Sequence, residues 1–290
     1  MTMQQADPSR TLFAFGLGYS AQALAQRLNT RNWRTSGTVR SAERAEKLRA
    51  KGFDAHIFET SRSSNFPPSG HWLISVPPDA KGCPVFRAFG ADAVRAKSIT
   101  YLSTTGVYGD LGGGWAFEWT PTNPQSDRAK RRVLAETQWQ GADRPLRIVR
   151  LPGIYGPGRS PFDRLRAGTA SQIIKAEQVF SRIHVDDIAT GLEAMLLRPK
   201  ALGVFHLCDD LPVPPEHVIQ FAADHLGLPA PEPVAFASAA LSPMASSFYA
   251  ECKRISNARA KSALGWSPEY KNYKQGLLAI LEAEQTAASG

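Results

Sequence analysis

The chain has 290 residues, 43% hydrophobic and 21% charged, so it buries about three quarters of its unfolded surface on folding and needs no disulfide or metal staple. Its three cysteines, Cys83, Cys208 and Cys252, are far apart and form no C-x-x-C pair, which excludes a disulfide framework or zinc site and favours a reducing cytoplasm. The net charge of +8, from 34 Lys and Arg against 26 Asp and Glu, suits nucleic acid, an anionic cofactor or an acidic substrate equally.

Residues 1–10 are polar, with no apolar run behind a basic start, so no secretory leader is expected. No stretch reaches the roughly 20 apolar residues of a membrane span, and a soluble, cytoplasmic protein without membrane partners is expected. Residues 11–15 are an apolar run of strand length, followed by Gly16-Leu17-Gly18-Tyr19-Ser20-Ala21. Ala21, Leu24, Ala25 and Leu28 then recur at the spacing of one helix face. A second strand is predicted at 35–39 and a helix at 42–50, with Ala45 and Leu48 inward and Gly52 as its stop. Buried strands are predicted at 55–58 and 72–76, a helix at 85–96 and a strand at 99–103. After a glycine-rich loop at 109–114 come a helix at 126–140 and a strand at 146–151.

Strands alternating with helices imply parallel crossovers and an α/β, Rossmann-type doubly wound sheet, with ligands at the carboxyl ends of the strands. Beyond Pro152 the pattern loosens, with helices predicted at 185–197, 215–226, 258–264 and 272–284 and a strand at 204–208. The expected organisation is a dinucleotide-binding core over 1–155 and a smaller substrate lobe over 156–290, whose segments partly return to the core.

The G-x-G-x-x-A pattern lies between a strand and a periodic helix, the context that gives it meaning. Gly16 makes the tight turn, Gly18 lets a pyrophosphate approach backbone N–H groups at a helix N-terminus, and small Ala21 lets the helix pack on the sheet. An NAD site is expected to carry an acid about 20 residues on, at the end of the second strand. Here the chain reads Val39-Arg40-Ser41. Arg40 pairs well with a 2′-phosphate, with Ser41 and Arg44 as further donors, so NADP(H) is preferred and NAD(H) is the second choice.

Several segments together resemble the extended short-chain dehydrogenase/reductases, NAD(P)-dependent nucleotide-sugar epimerases and dehydratases. They are Gly16–Ala21, the run from Ser103 through Thr104 to Tyr108-Gly109, Arg150-Leu151-Pro152-Gly153-Ile154-Tyr155-Gly156, and Arg182-Ile183-His184-Val185-Asp186-Asp187. The turn Ser75-Val76-Pro77-Pro78 and the segment 253–257 look like an atypical branch of that family. The resemblance implies a cofactor site that also takes in Leu17, Tyr19, Ser20, Val76, Pro77, Pro78, Ser103, Thr104, Leu151 and Gly153. It implies an anionic small-molecule substrate such as a nucleotide sugar, and a homodimer.

In that family a Ser or Thr after the central strand works with a Tyr and a Lys four residues beyond it. Thr104 matches the first by its spacing to Gly109. Anchoring on Glu136 puts Arg128 at the Tyr position and Arg132 at the Lys position. An arginine stays protonated, so Arg128 cannot take a proton from an alcohol. The basic run 128–132 reads either as a solvated helix face or as an anion site. Tyr108 and Tyr155 read as packing residues, Asp186 or Asp187 as a helix N-cap, and His184 as a structural histidine.

No histidine pair or carboxylate cluster has metal-ligand spacing, so no metal is expected. Neither a nucleophile elbow, a P-loop nor a zinc-finger pattern occurs, and nucleic-acid binding has only charge behind it. Two readings remain. One is an NADP(H)-dependent oxidoreductase or epimerase; the other is a dinucleotide-binding protein that senses or regulates without turnover.

Overall fold

The computed structural model describes residues 10–58 and 69–289; the leader reading of the first residues falls almost wholly outside them. The first half runs β1 (Thr11–Phe15), α1 (Tyr19–Asn29), β2 (Arg34–Val39), α2 (Ala42–Arg49), β3 (Asp54–Ile57), β4 (Gly70–Ile74), α3 (Pro84–Phe89), β5 (Ala96–Thr104), β6 (Trp115–Ala116), α4 (Asp127–Gln140) and β7 (Leu146–Leu151). The second half adds β8 (Gly153–Tyr155), α5 (Pro161–Arg166), β9 (Gln172–Ile174), β10 (Arg182–His184), α6 (Val185–Leu196), β11 (Gly203–His206), α7 (Pro215–Leu226), β12 (Pro233–Ala235), α8 (Pro243–Tyr249), β13 (Arg254–Ile255), α9 (Ala258–Leu264) and α10 (Tyr273–Ser289).

Seven strands form one parallel sheet in the order β3-β2-β1-β4-β5-β7-β11. This is a Rossmann-type doubly wound α/β fold. Its central strands alternate between two cores, because successive side chains point to opposite faces. Leu12 and Ala14 of β1 join Leu24 and Leu28 of α1, Leu48 of α2, Leu192 and Met195 of α6 and Leu264 of α9. Phe13 and Phe15 face the other way, onto Trp72, Val85, Phe89, Tyr101 and Trp139. A separate core ties α5, α7 and α10 through Phe162, Leu165, Val218, Ile219 and Leu277.

Three expectations need correction. The strand predicted at 55–58 is an edge strand in which only Ala55 is buried, since α2 covers one face and, among the described residues, no strand pairs with the outer edge. The helix predicted at 85–96 ends at Phe89 and continues as a 3-10 turn over Gly90–Arg95. Gly90 is a weak helix former, and a Cβ there would press on the Phe86 ring at 3.3 Å. The loosely read second half contains short parallel pairs, β8 with β10 and β9 with β12, while β13 pairs with β6. At two or three residues each, they are too brief for a period of two to show.

Candidate functional site

The strand order reverses between β1 and β4, which opens a crevice at their carboxyl ends, where doubly wound sheets receive ligands. Gly16 turns the chain there with φ +98, and a Cβ would lie 3.1 Å from Val76 Cγ1. Its N–H donates to Thr38 Oγ1 at 3.1 Å, and Leu17 N–H donates to the Thr38 carbonyl at 2.7 Å. Buried Gly37 completes this support: a Cβ there would sit 2.5 Å from the Ala14 carbonyl and 2.8 Å from Leu17 Cγ. Sequence reading passed over Gly37 and Thr38; a glycine inside a strand was the available signal.

Gly18 is the N-cap of α1, with no side-chain cap and no acidic residue in the first turn. A Cβ on Gly18 would find only Ser75 Oγ, at 3.8 Å, so the missing side chain leaves an open cradle at the positive end of the helix. Ser20 and Ala21 are buried. Tyr19 reaches across the crevice, where its hydroxyl donates to the Pro157 carbonyl at 2.9 Å. Burial pushes that hydroxyl up to about 12.

Arg40 is exposed just past the end of β2, and Arg44 is exposed in the first turn of α2. Neither guanidinium makes a hydrogen bond or ion pair among the described residues. The Ser41 hydroxyl oxygen caps α2, accepting from Arg44 N–H at 3.3 Å. The turn after β4 is pinned by Ser75 and Val76 N–H groups, which donate to the Phe15 carbonyl at 2.9 and 3.1 Å. Pro77 and Pro78 continue it at the surface.

At the end of β5, Thr104 is half-buried and its Oγ1 accepts from Gly106 N–H at 3.2 Å. Ser103 is buried and its hydroxyl donates to Glu136 Oε1 at 2.5 Å, so only its backbone remains for a ligand. Glu136 also receives the Arg150 guanidinium at 3.1 and 2.6 Å, and Arg150 Nη1 donates to the Tyr108 hydroxyl at 2.8 Å. That hydroxyl meets His206 Nε2 at 2.5 Å, while His206 Nδ1 meets the Ser256 carbonyl at 2.9 Å. A carbonyl only accepts, so Nδ1 carries the proton and Tyr108 donates to Nε2. Burial holds His206 down to about 4 and Tyr108 up to about 12. The pair is neutral and fully enclosed, as expected of a packing tyrosine.

The basic face of α4 is partly committed. Arg132 Nη1 donates to the Leu102 carbonyl at 2.7 Å and to the Tyr101 hydroxyl at 3.2 Å. Arg128 stacks over the Phe248 ring of α8 at 4.6 Å. Lys130 lies 4.0 Å from Asp127.

The α6 cap is not Asp186 or Asp187. His184 fills that place, its Nδ1 accepting from Asp186 N–H at 3.3 Å. Asp187 instead accepts from Glu269 and Tyr270 N–H groups at 2.6 and 3.2 Å, tying α6 to the chain before α10. The Tyr155 hydroxyl is buried against Gly276 and has no hydrogen-bond partner among the described residues. Leu151 is buried at the end of β7, and Gly153, exposed, begins β8. Among the described residues no three His, Cys, Asp or Glu side chains cluster as metal ligands, and no helix is long and apolar enough to cross a membrane.

No protein-family model matches the chain. A solved structure of a conserved protein of unknown function from Silicibacter pomeroyi DSS is 46% identical, covering 94% of this chain and 98% of its own, with TM-score 0.89. Protein YeeZ of Escherichia coli (strain K12) is 27% identical over 212 residues, 67% of this chain and 75% of its own. A chloroplastic epimerase family protein, an SDR39U1 homolog of Arabidopsis thaliana, is 26% identical over 303 residues, 91% of this chain and 84% of its own. The chain shares its fold with NAD-dependent epimerases and dehydratases. Two solved structures share the fold: a dTDP-glucose 4,6-dehydratase of Bacillus anthracis in complex with NAD, at 14% identity and TM-score 0.75, and RMD of Pseudomonas aeruginosa complexed with NADPH, at 18% and 0.64.

Proposed function

We propose that the chain is a nicotinamide-dinucleotide-dependent oxidoreductase or epimerase that prefers NADP(H) and acts on a small anionic molecule. The observation that carries this reading is the open cradle at Gly18: an uncapped eleven-residue helix, without an acid in its first turn, at the point where the sheet reverses. The residues fit the cofactor. Gly16, Leu17 and Gly18, with the first turn of α1 at Tyr19, Ser20 and Ala21, would take the pyrophosphate. Arg40 just past β2 and Arg44 in the first turn of α2, two uncommitted cations, would take the 2′-phosphate; with no acid at the strand end for a ribose diol, they favour NADP(H) over NAD(H). The turn Val76-Pro77-Pro78 and the strand ends at Ser103, Thr104, Leu151 and Gly153 would border the rest. When bound, the nicotinamide supplies hydride transfer.

Thr104 is the side chain we assign to the reacting oxygen of the substrate, as a hydrogen-bond partner rather than a base. Residues 156–290 contribute mainly the substrate lobe. Calorimetric titration with NADPH and NADH tests the reading: NADPH binds more tightly, and Arg40→Ala weakens NADPH by roughly tenfold, the value of one charge-assisted pair, while leaving NADH unchanged. Failure of both nucleotides to bind overturns it.

A second reading, dinucleotide binding without turnover, is favoured by one observation: both arginines at the usual Tyr and Lys positions are engaged by Phe248 and by Tyr101 with Leu102. NADPH-dependent conversion of any member of a nucleotide-sugar panel, lost in Thr104→Ala, excludes that second reading.

A further inference from the structure

Between Ala223 of α7 and Ile255 of β13 the chain contributes nothing to a core: every residue from 224 to 254 is exposed or half-buried. Within this stretch two points are fixed. Ala235 ends β12 in register with Ile174 of β9, and Cys252 N–H donates to Asp110 Oδ1 at 2.7 Å. The span between them, 236–251, carries α8, whose first turn is capped by the Ser242 hydroxyl oxygen, accepting from Ala245 N–H at 3.2 Å. A stretch without a buried apolar anchor opens at a free-energy cost far below that of unfolding the domain.

The contacts that hold α8 down come from two sides. On one side is the link between β9 and β10. Lys175 Nζ donates to the Tyr249 carbonyl and Gln178 Nε2 to the Glu251 carbonyl at 2.8 Å, while the Tyr249 ring meets the rings of Phe180 and Phe236 at 5.5 and 5.4 Å. On the other side is Arg128 in the first turn of α4, with its guanidinium 4.6 Å over the Phe248 ring. Phe248 is still 47% exposed, so this is a single stack and not core packing.

Tyr249 also lines a cavity of about 440 Å³ whose other walls come from β8, α5, α7 and α10. Arg182 lines it too, with only Nη1 in hydrogen bonds among the described residues, to the Phe180 and Val213 carbonyls at 2.8 and 3.3 Å. Phe180 thus joins α8 to the cavity wall, its ring on Tyr249 and its carbonyl on Arg182. Val218 of α7 is a buried part of that wall.

We infer that residues 236–251 form a lid on this cavity, hinged at Ala235 and Cys252 and latched to α4 by Arg128 stacking on Phe248. The latch gives Arg128 a task that needs no proton transfer. An arginine keeps its charge across the working pH range, and a cation over a ring needs only that charge. The lid depends neither on what the cavity binds nor on the dinucleotide reading.

Two measurements on the full chain test it. The first is hydrogen exchange followed by mass spectrometry. Amides of 245–250 exchange at least a hundredfold faster than those of α7. Arg128→Gln and Phe248→Ala each speed them a further two- to fivefold, roughly the worth of one exposed cation–π pair, and the double variant goes no further than either single one. The amides of α7 and β9 keep their wild-type rates. The second is thiol labelling of Val218→Cys in a Cys252→Ser background, where the remaining cysteines, Cys83 and Cys208, are buried. Labelling at position 218 rises with Arg128→Gln by the same factor as the exchange. Ile219→Cys, on the same wall, serves if the first variant fails to fold. Exchange at 245–250 unaltered in both single variants overturns the latch. Acceleration that spreads to α7 and β9 makes α8 a fixed part of the domain and overturns the lid, as does labelling at the cavity wall that stays constant while exchange rises.

Discussion

Gly16 and Gly18 are two residues apart and do different work. At Gly16 the backbone itself requires glycine: φ is +98 and Val76 closes on any side chain, so Gly16→Ala is expected to destabilise the fold by roughly 1–3 kcal/mol. At Gly18 the backbone is ordinary, φ −81, and space is open. Gly18→Val is therefore expected to leave the thermal midpoint nearly unchanged while reducing NADPH affinity at least tenfold, since its methyls fill the cradle. Calorimetry and a melting curve on the same preparation check both halves. The sequence pattern pointed to both glycines, but only the close approach of Val76 separates a folding role from a binding one. The same holds for the arginines. Arg40 and Arg128 are both exposed cations in the sequence reading, yet one is uncommitted at a strand end and the other is stacked on Phe248.

At the scale of elements, α4 is held to the sheet by a buried polar chain linking β5, β7 and β11 through Ser103, Glu136, Arg150, Tyr108 and His206. The Arg150–Glu136 bridge at 2.6 Å, with both side chains enclosed, fixes the strand end that presents Thr104. Removing one partner strands the other charge. Arg150→Met is expected to lower stability by about 3–5 kcal/mol, with the double variant Arg150→Met, Glu136→Gln recovering part of the loss; urea unfolding of the three proteins measures it. A double variant as unstable as the single one contradicts this account. None of these contacts was legible locally, because the residues lie 14 to 98 positions apart. Long elements were legible: α4 and α7 are where periodicity puts them. The three-residue strands and the 3-10 turn after α3 were not, since they arise from neighbours in space.

Across the whole molecule, buried acids beyond β7 make stability depend on pH. Asp209 is buried and its carboxyl is pushed up to about 7, opposed by Arg182 and the Leu211 N–H, with Asp210 and Asp187 adding to the rise. In the unfolded chain it titrates near 3.9. The folded state therefore holds the proton more tightly: Asp209's stabilising contribution is complete below about pH 4 and is lost as pH rises toward 7. Asp209→Asn keeps an acceptor for Leu211 and removes the titration. It should gain on the wild type by on the order of 2 kcal/mol between pH 5 and pH 8, read from urea unfolding at each pH. The sequence by itself determined the α/β class, the parallel sheet, the glycine turn and the family resemblance, because strand and helix periods and loop glycines are local signals. Only the tertiary structure decided that His184 and not an aspartate caps α6, that Ser103 turns inward to Glu136, and that Arg182 is left half-satisfied beside a cavity. Those outcomes depend on which distant groups converge, and a linear pattern carries no record of convergence.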